Sequence, residues 1–336
     1  MRRTYTWPVD LDLVFLGTAG SSPTGRRSPT ALLLRRGGDR LLIDCAEGTQ
    51  RQLMRSNVGL LDFSEVFLTH YHADHYLGLP GMLKTFALRG RELPITIYGP
   101  RGLTDLFSAL RRIFGKLTYP YELVELQPGD VLDRGDYRVV TFKVTHRVPA
   151  LGYALVEEAR PGRFDVPTAD ALGVPPGPER GRLQSGEAIA LDDGTVVTPD
   201  QVLGPPRAGR KVLVTGDTAP SLGYLDLAQG AELLVHEATF CEEERERAQE
   251  TSHSTAREAA QVAAAAGVRL LALTHLSSRY FGPEVLREAR DTFPDTVVPR
   301  DFDVIEIPFP ERGAPALVKG GALQPAAADS LSSDPR

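Results

Sequence analysis

Cysteine, tryptophan and long apolar runs are scarce in this chain of 336 residues. Its two cysteines, Cys45 and Cys241, are too few for a disulfide framework and lack the paired spacing of a cysteine-based zinc site. No apolar run approaches the roughly 18 residues of a membrane-spanning helix. The first residues contain no apolar stretch of the kind that a signal peptide has. These absences predict a protein of the reducing cytoplasm with no membrane partner.

The overall amino-acid composition predicts an ordinary globular protein. Hydrophobic residues make up 42% of the chain and charged residues 24%, which supplies both a core and a polar surface. The formal net charge of −6 argues against broad electrostatic adhesion to nucleic acid but leaves room for a local basic patch. The length predicts one large domain or two of average size.

Short apolar runs alternate with amphipathic segments, and this mixture predicts sheets covered by helices in an α/β or α+β layered fold. The predicted strands are LVFLG, ALLLR, LLIDC, EVFLTH, ITIYG, YRVVTFKVTH, KVLVTGD, AELLVHEA, RLLALTH and DVIEI. Helices are predicted at 47–56, 101–115, from 254 and from 283. Residues 157–210 are rich in glycine, proline and charge, which indicates a long functional excursion or a linker. Residues 313–336 predict a disordered tail, which leaves 1–312 as the main domain.

The histidines are few but concentrated. Of the seven in the chain, three stand with an aspartate in one short segment: His70, His72, Asp74 and His75. The apolar residues before them predict a buried strand that ends at this cluster. Burying so many titratable groups without partners is costly, so the cluster predicts a metal site.

Other predicted strands also end in a potential ligand, namely His146, Asp217 and His275. If all these ends converge, nitrogen and oxygen donors meet without a cysteine, which favours zinc, with manganese or cobalt as substitutes. The set is too large for one tetrahedral ion and predicts two ions that share a carboxylate. The alternative for His146 or His275 taken singly is packing at a strand end.

The H-x-H-x-D-H segment, followed by distant His, Asp and His, resembles the metallo-β-lactamase superfamily. The resemblance implies a four-layer αββα sandwich. It also implies the ligands: His70, His72 and His146 for one metal, Asp74, His75 and His275 for the other, and Asp217 as the bridge. Hydrolases of lactams, thioesters, phosphodiesters and RNA share these residues, so they leave the substrate open.

Further segments resemble ribonuclease Z, the family of tRNA 3′-processing endonucleases. They are LLIDCAEGTQRQL (41–53), LLVHEATF (233–240), TSHSTAREAA (251–260) and the 157–210 excursion, which resembles the protruding flexible arm that grips tRNA. The resemblance runs from Leu16 to about Pro308. It implies a precursor tRNA substrate, two zinc ions per subunit and a homodimer in which the arm of one subunit serves its partner.

The 23–28 loop and the predicted arm differ from what is common in that family. The loop PTGRRS (23–28) stands where the family commonly has P-x-K-x-R-N, which leaves the cut position open. The predicted arm carries few lysines, so its phosphate binding is expected to be weaker or to use its glycine-rich backbone. The alternative for the arm is a disordered insertion.

The residues predict metal-assisted phosphodiester hydrolysis. Asp74 is expected to orient the attacking water or accept its proton. His253, beside the potential helix caps Ser254 and Thr255, is expected to protonate the departing 3′ oxygen, with Glu237 orienting its ring. The candidate phosphate-binding residues are Arg26, Arg27 and Arg279. The alternatives are a cap neighbour without a chemical role for His253, a structural strand end for Glu237 and His236, and ordinary surface positions for the arginines.

Two other functions are compatible with parts of this pattern. One is a small-molecule phosphodiesterase or thioesterase of the same superfamily, which would not need the arm. The other is a metal-stabilised RNA- or protein-binding module without turnover, which would need neither an open metal position nor a proton donor.

Overall fold

Two packed β-sheets position the strand ends that carry the histidines and aspartates. The structure is a computed structural model that describes residues 9–60 and 63–320. In chain order its strands are β1 (Leu11–Gly17), β2 (Ala31–Arg36), β3 (Asp39–Ile43), β4 (Glu65–Phe67), β5 (Ile95–Pro100), β6 (Tyr121–Leu126), β7 (Val131–Asp133), β8 (Tyr137–Lys143), β9 (Leu151–Glu157), β10 (Ile189–Ala190), β11 (Val196–Val197), β12 (Lys211–Val214), β13 (Leu233–Glu237), β14 (Leu271–Thr274), β15 (Thr296–Val297), β16 (Val304–Glu306) and β17 (Ala316–Val318).

The helices lie mainly between strands. They are α1 (Thr49–Arg55), α2 (Ala73–Tyr76), α3 (Gly78–Leu88), α4 (Leu103–Phe114), α5 (Val166–Ala171), α6 (Pro178–Gln184), α7 (Pro199–Val202), α8 (Leu225–Ala228), α9 (Arg245–Thr251), α10 (Ala256–Ala266) and α11 (Gly282–Arg290). Short 3₁₀ helices span Glu242–Glu244 and Pro310–Arg312. No helix within the described ranges combines the length and the apolar character needed to cross a membrane.

The strand order brings parallel strands together in each sheet. The first sheet has eight strands in the order β17-β16-β1-β2-β3-β4-β5-β6, and β3 to β6 run parallel. The second has seven strands in the order β15-β14-β13-β12-β9-β8-β7, and β12 to β15 run parallel. Parallel strands end at one edge of their sheet, and ligands of open α/β sheets bind at the carboxyl ends.

Three apolar clusters separate the layers. The cluster between the sheets contains Phe67 from the first sheet and Val214 from the second. Helices α1, α3 and α4 cover the outer face of the first sheet through a cluster that includes Leu53 and Phe107. Helices α8, α10 and α11 cover the second sheet, with Ala260 buried against it. Each fully buried large apolar side chain stabilises the fold by about 1.5–3 kcal/mol. The layer order confirms the αββα sandwich.

The predicted strands and helices are all present, but several elements were not predicted. The missed strands in the two large sheets are β6, β7, β9, β15 and β17, and the missed helices include α3 and α9. Helix α3 contains Gly81 and Pro80, which obscure its helical pattern. Strand β9 is buried at every position, so it lacks the alternation that marks a half-buried strand.

Residues 157–210 form a folded module rather than a disordered insertion. Its helices α5, α6 and α7 and the hairpin of β10 and β11 enclose a small core of Ala169, Val174, Leu183, Ile189, Val197 and Val202. Backbone bridges join Arg160 to Arg207 and Phe164 to Leu203 where the module leaves the sandwich. Periodicity failed here because the helices are short and contain proline and glycine.

The tail predicted at 313–336 starts too early. Strand β17 pairs antiparallel with β16, which adds residues 316–318 to the edge of the first sheet. The apolar side chain of Leu317 packs against the cluster between the sheets, which gives this short strand a reason to stay in place. Residues 321–336 lie outside the described part of the chain.

Candidate metal centre

The predicted ligands all lie shortly after strands. The first sheet contributes His70 after β4, then His72 as the N-cap of α2, and Asp74 and His75 within that helix. The second sheet contributes His146 after β8, Asp217 after β12 and His275 directly after β14. The two sheets therefore meet at one edge with their ligands facing each other.

The first ligand group gathers around His72. Its Nδ1 lies 3.0 Å from Nε2 of His70 and 3.2 Å from Nε2 of His146. Oδ2 of Asp217 lies 3.7 Å from Nε2 of His70. These four side chains each offer a ligand atom within 4.8 Å of the others.

The second group gathers around the other oxygen of Asp217. Its Oδ1 lies 3.4 Å from Nε2 of His75 and 3.3 Å from Nε2 of His275. Oδ2 of Asp74 lies 3.3 Å from Nε2 of His275 and 3.7 Å from Nε2 of His75. Because its two oxygens face different groups, Asp217 has the geometry of a bridging carboxylate.

The chemistry of this donor set fits divalent cations. A tetrahedral zinc ion with nitrogen ligands at about 2.0–2.1 Å separates two of them by about 3.3 Å, close to the spacings in both groups. Nε2 of His75 and Oδ1 of Asp217 are buried without a hydrogen-bond partner within the described ranges, and a cation would satisfy both. Burial works to raise the pKa of Asp217, but His275 and His75 hold it well below its ordinary value, so the carboxylate is ionised.

A hydrogen-bond partner at Nδ1 fixes the orientation of three of the histidine rings. Nδ1 of His75 donates to Oδ2 of Asp44 at 2.7 Å, and Nδ1 of His146 donates to the carbonyl oxygen of Ser252 at 3.0 Å. Nδ1 of His275 lies 2.8 Å from Oγ1 of Thr239. A ring that donates through Nδ1 presents the lone pair of Nε2, which is the form that binds a metal.

Backbone strain accompanies two of these groups. His275 and Asp44 have φ values of 58° and 59°, in the left-handed region that non-glycine residues seldom occupy. Gly20 lies against His275, and a Cβ there would stand 2.6 Å from Nδ1 of the imidazole. Such strain is tolerated at sites where function requires a particular side-chain direction.

His253 and Glu237 are in direct contact, next to the predicted metal ligands. Nδ1 of His253 lies 2.7 Å from Oε1 of Glu237 and 3.8 Å from Oδ2 of Asp217. Burial works to lower the pKa of His253, but the charge and hydrogen bond of Glu237 outweigh it and raise the pKa to about 9. Thr255 caps α10 in a capping box with Glu258, which fixes the chain just after His253.

His236 lies away from this contact and is a structural residue. Its Nδ1 donates to the carbonyl oxygen of Glu237 at 2.8 Å, and its Nε2 lies 2.9 Å from the hydroxyl oxygen of Tyr224. The ring is fully buried, and both of its nitrogens have hydrogen-bond partners, one in β13 and one at the start of α8.

The three arginines predicted to bind phosphate lie in different environments. Arg279 lines a cavity beside His253. Arg26 is exposed and does not line that cavity. Nη1 of Arg27 donates to Oγ1 of Thr18 and to the carbonyl oxygen of Pro299, both at 2.7 Å, and burial lowers the pKa of its guanidinium. Arg27 therefore fastens the 23–28 loop to the sandwich, and its role in phosphate binding stays a prediction.

Sequence reasoning missed several residues around the centre. Asp44 is a polar residue directly after β3, the same signal from which the metal ligands were predicted. Oγ1 of Thr239 lies 2.6 Å from Oε2 of Glu237, and it also contacts His275, so Thr239 links Glu237 to His275. Arg147 and Arg247 line the cavity beside His253, and no local pattern in the sequence marks them.

Comparisons with known proteins agree with this geometry. A family model described as Anti-Pycsar protein Apyc1 matches residues 11–146, a stretch that contains His146 but neither Asp217 nor His275. The metallo-β-lactamase fold protein YhfI from Bacillus subtilis has a similar fold, with a TM-score of 0.65 at 20% identity over 88% of this chain and 99% of its own.

Similarity extends along nearly the whole chain in other proteins. Human tRNase Z, short form, is 28% identical with a TM-score of 0.66, covering 89% of this chain and 100% of its own. Ribonuclease Z of Gemmatimonas aurantiaca is 50% identical over 88% of this chain and 96% of its own length. Ribonuclease Z of Natronomonas pharaonis is 47% identical over 90% of this chain and 100% of its own. With 47–50% identity over 88–90% of its length, the chain belongs to the ribonuclease Z family of the metallo-β-lactamase superfamily.

Proposed function

We propose that this chain is a metal-dependent endoribonuclease that removes the 3′ trailer from precursor tRNA and leaves a 3′ hydroxyl on the tRNA. The observation that carries the proposal is the bridging position of Asp217 between two ligand groups, with His253 beside them. The substrate class is supported by relatives named ribonuclease Z at 47% and 50% identity.

The metal centre supplies the electrophilic part of this chemistry. One cation would be held by His70, His72 and His146, the other by Asp74, His75 and His275, with Asp217 shared. When bound, the two cations lower the pKa of a water molecule and stabilise the charge that develops on the phosphate. Nitrogen and oxygen donors without cysteine favour zinc, at two ions per subunit.

Asp74 is suited to orient the attacking water. Oδ2 of Asp74 accepts a hydrogen bond from the backbone N–H of Ser21 at 2.8 Å, which fixes the carboxylate. Burial works to raise the pKa of Asp74, but His275 and His75 lower it overall. A carboxylate with a lowered pKa accepts protons poorly, so orientation of the water is the better role than proton removal.

His253 is suited to protonate the leaving 3′ oxygen. With a pKa of about 9 it carries a proton at neutral pH, and Glu237 holds that protonated form through Nδ1. Nε2 of His253 has no protein partner within the described ranges, and the ring lines the cavity. Glu237 also accepts from the backbone N–H of Thr218 at 2.9 Å, which makes it a fixed positioning residue.

The rival functions are less well supported. A small-molecule phosphodiesterase or thioesterase would not need the folded module at 157–210, and the ribonuclease Z relatives cover that module. A binding module without turnover would not need a protonated histidine held by a buried carboxylate beside the metal ligands. Neither alternative is favoured.

The decisive experiment is cleavage of a precursor tRNA with a 3′ trailer by metal-loaded protein, with both new ends mapped and Asp74→Ala as control. The expected result is one cut at the acceptor end, a 3′ hydroxyl on the tRNA, and loss of cleavage in the variant. If the RNA stays intact while a small phosphodiester is hydrolysed, the chain is a small-substrate hydrolase instead.

The role of His253 has its own test. Because His253 donates a proton and binds no cation in this proposal, His253→Ala is expected to keep its metal content while losing turnover of precursor tRNA. Metal content is measured by elemental analysis of the purified variant. Loss of metal together with activity would assign His253 to the ligand set instead.

Zinc, a homodimer and a cytoplasmic location complete the proposal. The two cysteines are buried and unpaired, as expected in a reducing compartment. The homodimer rests on the resemblance of the 157–210 module to an arm that serves a partner subunit. Elemental analysis, light scattering of the purified protein and cell fractionation test these three parts separately.

A further inference from the structure

The charged residues that line the cavity beside His253 in the described part of the chain are all basic. The cavity has a volume of about 330 Å³ and is lined by Arg147, Arg247 and Arg279 in addition to His253. Among the residues that the structure describes, no aspartate or glutamate contributes to its wall. This composition contrasts with the whole chain, which carries 44 acidic and 38 basic residues. A local excess of positive charge on an acidic protein indicates a site for an anion.

Two of these arginines have no assigned role. Arg147 and Arg247 are exposed, and within the described ranges neither guanidinium forms an ion pair or a hydrogen bond. Arg279 differs, because its Nη1 lies 3.8 Å from Oε2 of Glu244. An exposed guanidinium without a protein partner is available to bind a phosphate through two hydrogen bonds.

Both arginines are carried by backbone that is fixed near the metal centre. Arg147 directly follows His146, whose ring is held by the carbonyl oxygen of Ser252. Arg247 lies on α9, where the backbone N–H of His253 donates to the carbonyl oxygen of Ala248 at 2.9 Å. The two guanidinium groups therefore extend from segments that are tied to the same part of the site.

The rest of the cavity wall suits a sugar–phosphate backbone. Hydroxyl groups of Ser21, Ser22, Thr251 and Ser277 line it alongside the arginines. Hydroxyl and guanidinium groups are the usual protein partners of phosphate and ribose oxygens. Thr251 and Ser277 already hydrogen-bond within the protein, but an apolar substrate would leave the guanidinium groups of Arg147 and Arg247 unpaired, which argues for a nucleotide backbone in this space.

We propose that Arg147 and Arg247 bind the phosphate on the 5′ side of the last tRNA nucleotide. The inference rests on the proposed function. His253 lines this cavity and gives its proton to the 3′ oxygen of that nucleotide, so the nucleotide and its own 5′ phosphate extend into the space beside His253. The two arginines thus position the tRNA end for cleavage and carry no part of the bond-breaking step.

The test compares wild type with Arg147→Ala/Arg247→Ala on two substrates, a precursor tRNA with a 3′ trailer and bis(p-nitrophenyl) phosphate. In the double variant, kcat/KM for the RNA is expected to fall about tenfold or more further than kcat/KM for the small diester. Most of this loss should come from a higher KM for the RNA. The salt dependence of binding should weaken by about 0.7 in logarithmic slope for each lost phosphate contact. Arg287→Ala is the matched control, an exposed arginine on α11 that does not line the cavity.

A second RNA locates the contact. It carries an uncharged methylphosphonate at the linkage 5′ of the last tRNA nucleotide and is otherwise unchanged. Wild type should bind it about tenfold more weakly, whereas the double variant should bind both RNAs equally. Equal losses on the RNA and the small diester, or an additive effect of the variant and the modified linkage, would overturn the inference. Absence of precursor tRNA cleavage by wild type would overturn the proposed function instead.

Discussion

Each imidazole in the second ligand group is oriented by a hydrogen-bond partner at its Nδ1, on the side away from the other ligands. His75 is held by Asp44, and the same carboxylate accepts from the backbone N–H of Thr69 at 2.8 Å. Asp44 therefore fixes both the ring and the strand end that delivers it. A carboxylate behind a ligand imidazole also makes the ring a stronger donor to a metal.

Asp44→Asn is expected to weaken zinc binding by roughly 10-fold to 100-fold, because it removes the charge behind His75 while keeping the size of the side chain. The measurement is competition with a chromophoric chelator. Asp12→Asn is the control, since Asp12 pairs with Arg35 on the sheet at a partly exposed position away from the centre. Unchanged affinity in Asp44→Asn would show that the ring is held by other contacts.

The pair of Glu237 and His253 makes a prediction about pH. His253 must be protonated to act as an acid, so turnover falls as pH rises through its pKa, which Glu237 raises to about 9. Glu237→Gln removes the negative charge and lowers that pKa, so the alkaline limb of the kcat profile should move to lower pH. A profile that loses amplitude but keeps its midpoint would assign Glu237 a purely structural role. Metal content and thermal stability serve as controls for misfolding.

The sequence could predict which side chains converge at this edge, but not the residues that hydrogen-bond to them from behind. A polar residue after an apolar strand is visible locally, which is why the convergence of His70, Asp217 and His275 could be expected. The contact of Asp44 with His75 joins positions 31 residues apart and depends on side-chain direction, which the sequence does not display. The hydrogen bond of Arg27 to Pro299 could not be predicted for the same reason, because the two residues are far apart along the chain.

At the scale of secondary-structure elements, Glu311 anchors the stem of the 157–210 module, which is the part where the module leaves the sandwich. Arg160 and Arg207, one on each side of the stem, both pair with Oε1 of Glu311, at 2.7 Å and 3.1 Å. The guanidinium of Arg160 also lies 3.6 Å from the ring centre of Phe309. The hydrogen bond of Arg160 lowers the pKa of Glu311 to about 2, so this anchor is charged at neutral pH.

Glu311→Gln is expected to loosen the stem. Partly exposed ion pairs contribute about 0.2–1 kcal/mol each, so KM for precursor tRNA should rise only threefold to fivefold or so, with kcat on a small diester retained. Limited proteolysis should cut within 157–210 faster than in wild type. Glu158→Gln is the matched control, because Glu158 pairs with Arg138 at an exposed position beside the stem. Equal proteolysis of both variants would remove Glu311 from this role.

Elements with clear periodicity were predictable, and those shaped by tertiary contacts were not. Helix α10 was expected from its alanine-rich pattern and its cap at Thr255. Strand β9 was missed because burial on both faces erases its alternation. The module at 157–210 folds on a core too small and too interrupted to leave a periodic trace.

Across the whole molecule, the metal centre lies where the two sheets meet. His70, His72, Asp74 and His75 belong to the half of the chain that forms the first sheet, and His146, Asp217 and His275 to the half that forms the second. Cations bound there would connect the halves directly. They would also satisfy Nε2 of His75, a buried atom with no hydrogen-bond partner in the described part of the chain. The centre is therefore expected to stabilise the fold as well as to carry the reaction.

Removing the metals should accordingly lower the melting temperature. A cation at about 100 times its Kd stabilises the folded state by about 2.7 kcal/mol, and for a chain of this size that corresponds to a change in Tm of roughly 4 °C for each cation. Differential scanning calorimetry with and without a chelator measures the change, and zinc added back should restore the original Tm. In Asp217→Asn the chelator should have little further effect, because the shared ligand is weakened in both groups. If the chelator leaves the Tm of the wild type unchanged, the sheets hold the seven side chains together without help from the cations. The centre would then serve catalysis and not the stability of the fold.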